Sequence, residues 1–366
     1  MNTVGKRRLP VLMALSMSVA CSKEYEITPI EAEVDPGSYM ECPFSETDEA
    51  SISVYDCNPV FDTTGESWGP EVGSVGFYTN MVMGHPVYQI WYGASMDGDD
   101  YLADWGVGTA VSTNGTDWEP HPDNPLLSEV SDAWEQDGMT ALQIVRDDRN
   151  ERYVMAYQGY SFDGFEWLIG VGVASSPDGV SWTRSGANPV LEQRIDYGGG
   201  LYITWPFALY AGEGGGVTAY LGGQTSGGPV HMYVAQLSED LADWNIMDEP
   251  VLEAGPESYD KAGIADASVV KVGDTYYMFY VGFSEWEEIA GGAQSPRLST
   301  LNLATSRSGI SWEKHPSNPL PVNLTSEPEV SAIASQVVGD QIHLWVTDNY
   351  GDSNAVGYYL FDPSSL

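Results

Sequence analysis

The segment Gly263-Ile-Ala-Asp-Ala-Ser-Val-Val-Lys-Val272 leads through Gly273-Asp274 into Thr275-Tyr-Tyr-Met-Phe-Tyr-Val-Gly282. Further on come Ser299-Thr-Leu-Asn-Leu-Ala-Thr-Ser306, then Ser308-Gly309, then Ile310-Ser-Trp-Glu-Lys-His-Pro-Ser-Asn-Pro319. Runs rich in Val, Tyr, Phe and Thr that are bounded by Gly, Asp, Ser and Pro are typical of β-strands. We therefore predict four antiparallel strands, with two tight hairpins and one long loop from Ser284 to Pro296.

The second of these strands, Tyr276 to Val281, is apolar at every position. A strand of this kind is buried on both faces of its sheet. A four-stranded sheet that is covered on both faces needs similar sheets on either side, so the sequence should contain further copies of this unit.

Copies are marked by a Trp that is followed by an X-Pro pair. The pairs are Trp118 before Asn124-Pro125, Trp182 before Asn188-Pro189, Trp244 before Glu249-Pro250 and Trp312 before Asn318-Pro319. An earlier Asn58-Pro59 has no Trp, and the five prolines are separated by 66, 64, 61 and 69 residues. A fixed period with strand content predicts an all-β, five-bladed β-propeller of four-stranded antiparallel blades.

The two ends of the chain predict how the ring closes. The last unit has strands at Ser331–Val338, Ile342–Thr347 and Ala355–Phe361, but the chain ends before a Trp strand. Residues Ser51–Asp56 stand just before Asn58-Pro59, where a fourth strand belongs. We expect this N-terminal strand to complete the last blade, which removes two exposed sheet edges.

Residues 1–21 are predicted to be an export signal with a lipidation cysteine. An apolar run from Leu9 to Ala20, too short to span a bilayer, follows three basic residues and precedes Cys21. Ser-Val-Ala-Cys resembles a bacterial lipoprotein cleavage site, although Ser18 stands where such sites prefer Leu. The alternative is an ordinary signal peptide cut after Ala20. The lipoprotein reading places the protein at the bacterial outer membrane or cell surface.

Residues 22–50 are polar and acidic and are predicted to be a tether, followed by one propeller domain over 51–366. Export implies an oxidising compartment, in which Cys42 and Cys57 can pair. Lipidation of Cys21 would then leave no unpaired thiol. Because the Cys42–Cys57 loop is short, the bond should contribute about 3 kcal/mol at most.

The charge balance excludes one class of partner. The chain has 14 basic and 53 acidic side chains, a net charge of −39, whereas phosphate binding needs Lys and Arg. Nucleic acid is therefore not an expected partner. The acids are explained by solubility or, alternatively, by Ca²⁺ binding at clusters such as Asp97-Gly-Asp-Asp100, whose spacing is not that of an EF-hand. No cofactor is expected to be required.

Blade topology predicts the functional face. The turns after the first and third strands are short, whereas the loops after the second strand and the crossings between blades are long and rich in aromatics and acids. These long connections share one face, and binding residues concentrate on loops that a rigid scaffold holds. The mouth of the central channel on that face is the expected pocket.

The blade sequences resemble those of the five-bladed propeller glycoside hydrolases, which include arabinanases, xylosidases, invertases and levansucrases. The resemblance covers roughly residues 51–362 and rests on Gly-Ile-Ala-Asp-Ala-Ser-Val-Val, Tyr-Tyr-Met-Phe-Tyr-Val-Gly and Ala-Thr-Ser-Arg-Ser-Gly-Ile-Ser-Trp. It implies two aspartates on the inner strands of the first two blades and a glutamate from the third as general acid. Such placed carboxylates are what glycoside hydrolysis needs.

Aligned on Gly263–Asp266, most of these carboxylates are missing. The second blade has Ala141, the third has Thr204 or Trp205, and the first reads Val72-Gly-Ser-Val75. Acids do stand slightly upstream, and the catalytic candidates are Asp266, Asp137 and Glu71, with Glu135 and Glu329 also near. The alternatives are that Asp266 hydrogen-bonds backbone at the blade entrance and that the others are solvated loop acids.

Aromatic residues outside the repeat are the candidates for sugar contact, because sugars pack C–H faces on rings and bond their hydroxyls to carboxylates. The blade tryptophans, in contrast, are expected to pack between blades. Loop packing is the alternative for the candidates as well. The predicted substrate-binding residues are Trp68, Trp134, Tyr202, Trp205, Tyr259, Glu285 and Trp286.

The sequence thus predicts a monomeric, surface-anchored propeller that binds or processes a neutral glycan or oligosaccharide. Two classes stay open: a glycoside hydrolase with displaced carboxylates, and a catalytically inactive glycan-binding or scaffold lipoprotein. A purely structural surface protein is a third.

The anchoring prediction is tested by Cys21→Ala. We expect the variant to move from the membrane to the soluble fraction, because acyl chains on Cys21 are the predicted anchor. Fractionation in high salt is the measurement, and a variant that still sediments with membranes would contradict lipidation.

Overall fold

The computed structural model describes residues 42–47, 52–62, 71–82, 85–95, 105–128, 134–162, 167–194, 201–212, 216–225, 228–288, 294–322, 330–349 and 354–365. Residues 42–366 form one compact unit. In the described ranges the chain is almost entirely β, with 3₁₀ turns at Ser258–Asp260 and Pro363–Ser365 and no α-helix. Among these residues no helix has the length and apolar composition that crossing a bilayer requires. Residues 1–41, which include Cys21, lie outside the described ranges.

The described strands form five antiparallel sheets, which are the blades of the propeller. Blade 1 contains β3 (Glu71–Val82), β4 (His85–Ser95), β5 (Trp105–Ser112) and β6 (Glu119–Pro120). Blade 2 contains β7 (Gly138–Asp147), β8 (Arg152–Phe162), β9 (Trp167–Ser176) and β10 (Thr183–Arg184), with β11 (Leu191–Arg194) also paired to β9. Blade 3 contains β12 (Leu201–Ala211), β13 (Val217–Thr225), β14 (His231–Leu237) and β15 (Trp244–Ile246).

Blade 4 contains β16 (Gly263–Val272), β17 (Thr275–Glu288), β18 (Gln294–Ser306) and β19 (Glu313–Lys314). Blade 5 contains β20 (Ala332–Val338), β21 (Gln341–Asn349) and β22 (Asn354–Phe361), followed in the sheet by β2 (Ile52–Tyr55) and β1 (Phe44–Glu46). The predicted fold class, a five-bladed all-β propeller, is confirmed.

The N-terminal strand closes the ring as predicted. Strand β2 pairs antiparallel with β22, and Ile52 lies opposite Phe361. Strand β1 then pairs with β2, and Phe44 lies opposite Tyr55. The sheet therefore begins inside the stretch that the sequence analysis described as a tether. Cys42 and Cys57 form the predicted disulfide across this hairpin, with their Cα atoms 5.8 Å apart.

The asparagines of the Asn-Pro pairs complete the outer edge of their blades. In blade 4 the Asn318 side chain accepts from the Leu303 N–H at 2.8 Å and donates to the Leu303 carbonyl at 2.9 Å. Asn58 brackets Tyr358 in the same way, 300 residues further along the chain. The other two brackets are Asn124 on Thr109 and Asn188 on Val173. The repeated asparagine thus hydrogen-bonds the backbone N–H and C=O of one residue in the third strand of its blade. Because Asn58 bonds Tyr358, it belongs to blade 5.

The turn before each blade tryptophan joins neighbouring blades. In blade 2, Ser176 Oγ accepts from the Gly179 N–H, and Trp182 Nε1 donates to the Gly179 carbonyl at 3.2 Å. Trp91 of blade 1 donates to the same carbonyl at 2.7 Å. Gly179 has φ +78°, and a Cβ there would lie 2.7 Å from the Trp91 ring. Because Trp182 also lies edge-on to Trp91 at 6.5 Å, its predicted packing between blades is confirmed.

The second strands form the cores, as predicted from their apolar runs. In β17, Tyr277 is 7% exposed and the residues from Met278 to Val281 are fully buried. The predicted long loop from Ser284 to Pro296 is wrong in extent, because β17 continues to Glu288 and β18 begins at Gln294. Cross-strand pairing of Glu285 with Arg297 and of Trp286 with Pro296 carries the ladder past the blade body.

The closing hairpin makes stability dependent on the disulfide. We expect the Cys42→Ser, Cys57→Ser double variant to lose about 3 kcal/mol or less of unfolding free energy, because the unfolded chain regains the freedom of a short loop. Thermal melting with and without reductant is the measurement. Reductant should lower the wild-type Tm to that of the double variant and leave the variant unchanged, and equal Tm values for both oxidised proteins would contradict this role.

Candidate functional site

The inner strands β3, β7, β12, β16 and β20 surround a central channel. Their N-terminal ends lie on the face with the long connections, which we call the mouth, and their hairpins lie on the opposite face, which we call the back. Four of these described strands carry a register shift close to the mouth, whereas β20 pairs regularly. Bulges of this kind re-aim side chains and recur beside active sites.

The strand pairing corrects the alignment of the inner strands near these register shifts. The inner strands of blades 1, 2 and 4 begin at equivalent residues, which are Glu71, Gly138 and Gly263. Three residues further, at or beside the bulge, stand Ser74, Ala141 and Asp266. The first-blade alignment on Val72 was therefore off by one residue. In blade 3 two register shifts lie between Ile203 and Ala208, and the residues there are Thr-Trp-Pro-Phe.

Asp266 lies between three inner strands and is only 6% exposed. Its Oδ1 accepts from the Ala267 N–H and from Gln143 Nε2, both at 2.8 Å. Its Oδ2 accepts from the Ile333 N–H of blade 5 at 3.1 Å. Both carboxylate oxygens therefore hydrogen-bond the scaffold, which is the backbone-bonding role that the sequence analysis gave as the alternative to catalysis.

The Gln143–Asp266 hydrogen bond crosses the channel. Gln143 is on β7 of blade 2 and Asp266 is on β16 of blade 4, and blade 3 lies between them in the ring. Burial raises the pKa of the Asp266 carboxyl well above its usual value, and the three hydrogen bonds oppose this shift only in part.

The other two catalytic candidates lie at the mouth end of their strands. Glu71 is the first residue of β3 and pairs with Ser95. Asp137 directly precedes β7, is partly exposed, and donates its backbone N–H to the Tyr160 carbonyl at 3.2 Å. Their roles stay predictions. Trp68 and Glu329 lie outside the described residues, as does the Asp97–Asp100 stretch suggested for calcium.

Three of the predicted aromatics border the apolar cluster that lies between blades 3 and 4. Trp205, Tyr259 and Trp286 are half-buried and pack against the same apolar cluster. Trp205 Nε1 donates to the Ala265 carbonyl at 2.6 Å, next to Asp266. Trp286 lies edge-on to Phe283, with ring centroids 4.7 Å apart, and its neighbour Glu285 is exposed. Of these aromatics, Trp286 has an exposed acid next to it along the chain, on the β17–β18 hairpin at the mouth.

Trp134 and Tyr202 are placed differently. Trp134 is 9% exposed and stacks on Tyr157, with centroids 5.8 Å apart. A Cβ at Gly159 or Gly172 would collide with its ring, so blade 2 covers that ring closely. This is the loop packing that was the alternative reading for Trp134. Tyr202 is the second residue of β12 and pairs with Gln224.

Two buried ion pairs occupy equivalent positions in blades 2 and 4, and neither pair was predicted from the sequence. Asp260 Oδ2 lies 2.6 Å from Lys314 Nζ, and Glu135 Oε1 lies 2.7 Å from Arg184 Nε. Burial raises the pKa of Asp260, and Lys314 partly offsets the shift. Each acid stands three residues before the first glycine of its inner strand, and each base stands two residues after its blade tryptophan. That shared spacing could have predicted both pairs from the sequence. Glu135, which was named as an acid near the mouth, is a buried residue that pairs with Arg184.

Among the residues that the structure describes, no group of three or more His, Cys, Asp or Glu side chains is close enough to hold a metal ion. The arrangement of the described residues therefore offers aromatic and polar surface at the mouth and a neutralised or hydrogen-bonded set of buried acids. That chemistry suits recognition of a hydroxyl-rich ligand.

Comparison with solved structures agrees with the fold. A β-1,2-mannobiose phosphorylase from Listeria innocua, solved with β-1,2-mannobiose, has a TM-score of 0.59 and 11% identity, over 86% of this chain and 97% of that one. A thermostable family-43 glycoside hydrolase has a TM-score of 0.55 and 17% identity, over 78% and 88%. A glycosyl hydrolase from Bacteroides ovatus has a TM-score of 0.55 and 14% identity, over 88% and 94%. No protein-family model and no curated protein matches the chain. The resemblance to five-bladed propeller glycoside hydrolases is thus confirmed for the fold.

The buried state of Asp266 is tested by comparing wild type with Asp266→Asn across pH. Because the folded-state pKa is raised, the folded protein holds this proton more tightly than the unfolded chain does. The stabilisation from the neutral carboxyl is full below the ordinary pKa of 3.8 and is lost as pH rises through the folded pKa. We therefore expect the stability of wild type relative to Asp266→Asn to fall as pH rises above about 4.

Denaturant unfolding at a series of pH values is the measurement. Asp274→Asn, at the exposed turn after β16, is the matched control for loss of one carboxylate. A stability difference that does not change with pH would contradict the raised pKa.

Proposed function

We propose that the protein is a surface-anchored propeller that binds a neutral glycan at the mouth without hydrolysing it. The observation that carries this proposal is the position of Asp266. It is the one acid at the aligned inner-strand position, since the equivalents in blades 1 and 2 are Ser74 and Ala141. Both of its oxygens bond the scaffold, which leaves little capacity for a reacting sugar.

The fold supports carbohydrate as the ligand class. Solved structures with this propeller include glycoside hydrolases and a phosphorylase in complex with its disaccharide. A mouth that keeps this architecture and loses the aligned carboxylates retains a surface for sugar contact but not the acid pair that glycoside hydrolysis requires.

The mouth also supplies suitable contacts. Trp286 is half-buried, so part of its ring remains accessible, and the exposed Glu285 precedes it on the extended β17–β18 hairpin, on the opposite face of the strand. An aromatic ring can pack on the apolar face of a sugar, and a carboxylate can accept hydrogen bonds from its hydroxyls. Trp205 and Tyr259 border the same apolar cluster as Trp286.

A glycoside hydrolase with displaced carboxylates is the second candidate, favoured by the positions of Glu71 and Asp137. Glu71 opens β3 and Asp137 immediately precedes β7, so both lie at the mouth end of neighbouring inner strands. A hydrolase would need two such carboxyl groups about 5–10 Å apart across the scissile bond.

The predicted leader supports the location. The basic residues, the short apolar run and Cys21 resemble the leader of an exported bacterial lipoprotein, and the Cys42–Cys57 disulfide fits an oxidising compartment. We propose that the propeller works as a monomer on the outer membrane or cell surface, attached through lipid on Cys21, with no required cofactor.

Glycan-array binding and a panel of aryl glycosides test the function together. We expect wild type to bind neutral oligosaccharides and to show no turnover. Trp286→Ala and Glu285→Gln should each weaken binding by about 1–3 kcal/mol, the size of a lost ring or polar contact. Met247→Ala removes an exposed apolar side chain, 42% exposed, from blade 3 and serves as the matched control.

Turnover by wild type that is abolished in Glu71→Gln or Asp137→Asn would overturn the binding proposal in favour of the hydrolase. Absence of binding to any glycan and of turnover would favour a purely structural role.

A further inference from the structure

A cavity lies in the back half of the channel, away from the mouth. Its volume is about 720 Å³, and the inner strands of blades 2, 3, 4 and 5 line it. The lining includes Asp148, Gly212 and Gly273, which lie at or beside the hairpins of their inner strands, so the cavity reaches the back face. This face was not where the sequence analysis expected a pocket.

The cavity ends at the hydrogen bond that crosses the channel. Gln143 is part of the lining, and it donates to Asp266 at 2.8 Å from the opposite side. On either side of that bond, Ile333 and Ser335 of β20 donate their N–H groups to Asp266 and Ser268 of β16. These hydrogen bonds lie at the end of the cavity that is nearer the mouth.

Two positive side chains line this cavity in a chain that has only 14 basic residues against 53 acids. Arg146 on β7 and Lys271 on β16 occupy equivalent positions, each paired with the tyrosine that follows the hairpin. Arg146 lies over the Tyr153 ring at 4.7 Å, and Lys271 lies over the Tyr276 ring at 4.8 Å. The same geometry thus directs two cations to one opening.

Asp148, the acid near these cations, competes only weakly with a bound anion for Arg146. Asp148 Oδ1 lies 3.4 Å from Arg146 Nε, but its side chain is 86% exposed, so solvent screens the pair. The Arg146 side chain is only 20% exposed, so an anion in the cavity would meet it partly shielded from water, whereas Lys271 is exposed and would contribute a screened charge.

The remaining lining suits a sugar. Gln336, Ser268 and Ser335 supply donors and acceptors for hydroxyl groups, and the two serine hydroxyls lie 2.7 Å apart. The rings of Tyr210 and Tyr276 meet edge-on, 5.5 Å apart, in the wall of the cavity. A volume of this size is within the usual range of small-molecule sites, roughly 300–1,000 Å³.

We propose that the back cavity binds a small carboxylate-bearing sugar, a uronic acid or a short uronate oligosaccharide, with Arg146 and Lys271 recognising the carboxylate. A long polyanion is disfavoured, because the net charge of −39 repels it outside the cavity. The sugar part of this inference rests on the proposed function, whereas the recognition of charge does not.

Isothermal titration of the full chain with glucuronate, its methyl ester and glucose tests the proposal. We expect glucuronate to bind and the two neutral sugars to bind at least about 10-fold more weakly, since the charge-assisted hydrogen bonds are lost. Raising the salt concentration should weaken glucuronate binding. Lys271→Gln and Arg146→Gln should each lower the affinity about 10-fold or more.

Lys261→Gln, at an exposed residue just before β16 on the mouth side, is the matched control and should bind glucuronate as wild type does. Arg146→Lys keeps the charge and should retain more affinity than Arg146→Gln, provided that melting shows both to be folded. Trp286→Ala should leave glucuronate binding intact, so a failure at the mouth and a failure at the back are distinguishable. Equal affinity for glucuronate and its methyl ester, unchanged affinity in both Gln variants, or no binding by wild type would overturn the proposal.

Discussion

The pairing of β2 with β22 is the contact on which the whole propeller depends. A ring of blades has no edge only when its first and last sheets are joined, and here three residues of the N-terminal strand supply that joint. Asn58 brackets Tyr358 just beyond the joint, and the Cys42–Cys57 bond ties the hairpin that delivers it. The five inner strands face one axis because this seam holds. Every distance across the channel therefore depends on a contact between residues about 300 positions apart.

Within the ring, a few side-chain devices recur and blade 3 departs from them. Four blades use an asparagine to bracket the third strand, whereas blade 3 has Glu249 at that place. Three turns before a blade tryptophan use glycine with positive φ, and blade 3 has Leu241 with φ +64°. A left-handed leucine costs about 1–2 kcal/mol. Leu241 is 4% exposed in the blade 3 cluster, and burial of its side chain offsets that cost.

Asp266 shows how partners from several blades can hydrogen-bond one carboxylate near the mouth end of an inner strand. A carboxylate at the mouth end of an inner strand could face a substrate, yet here β20 supplies an N–H and β7 supplies an amide that occupy it. The Gln143–Asp266 hydrogen bond also lies where the lining of the back cavity ends on the side of the mouth. The back cavity carries Arg146 and Lys271, whereas Trp286 and the exposed Glu285 lie on the β17–β18 hairpin at the mouth.

The sequence by itself determined the blade repeat, the strand order and the closing strand. Those features follow from local composition and from the Trp and Asn-Pro spacing, and each Asn acts on its own blade through contacts that the period already implies. The disulfide followed from the cysteine count and the compartment. Only the tertiary structure decided which side chains reach the channel axis. A bulge moves the inner-strand register by one residue, as at Ser74, and such a shift leaves no mark in the sequence pattern. Partners from three different blades meet at Asp266, and Arg146 and Lys271 meet at one cavity, because ring closure brings distant strands together around a shared axis.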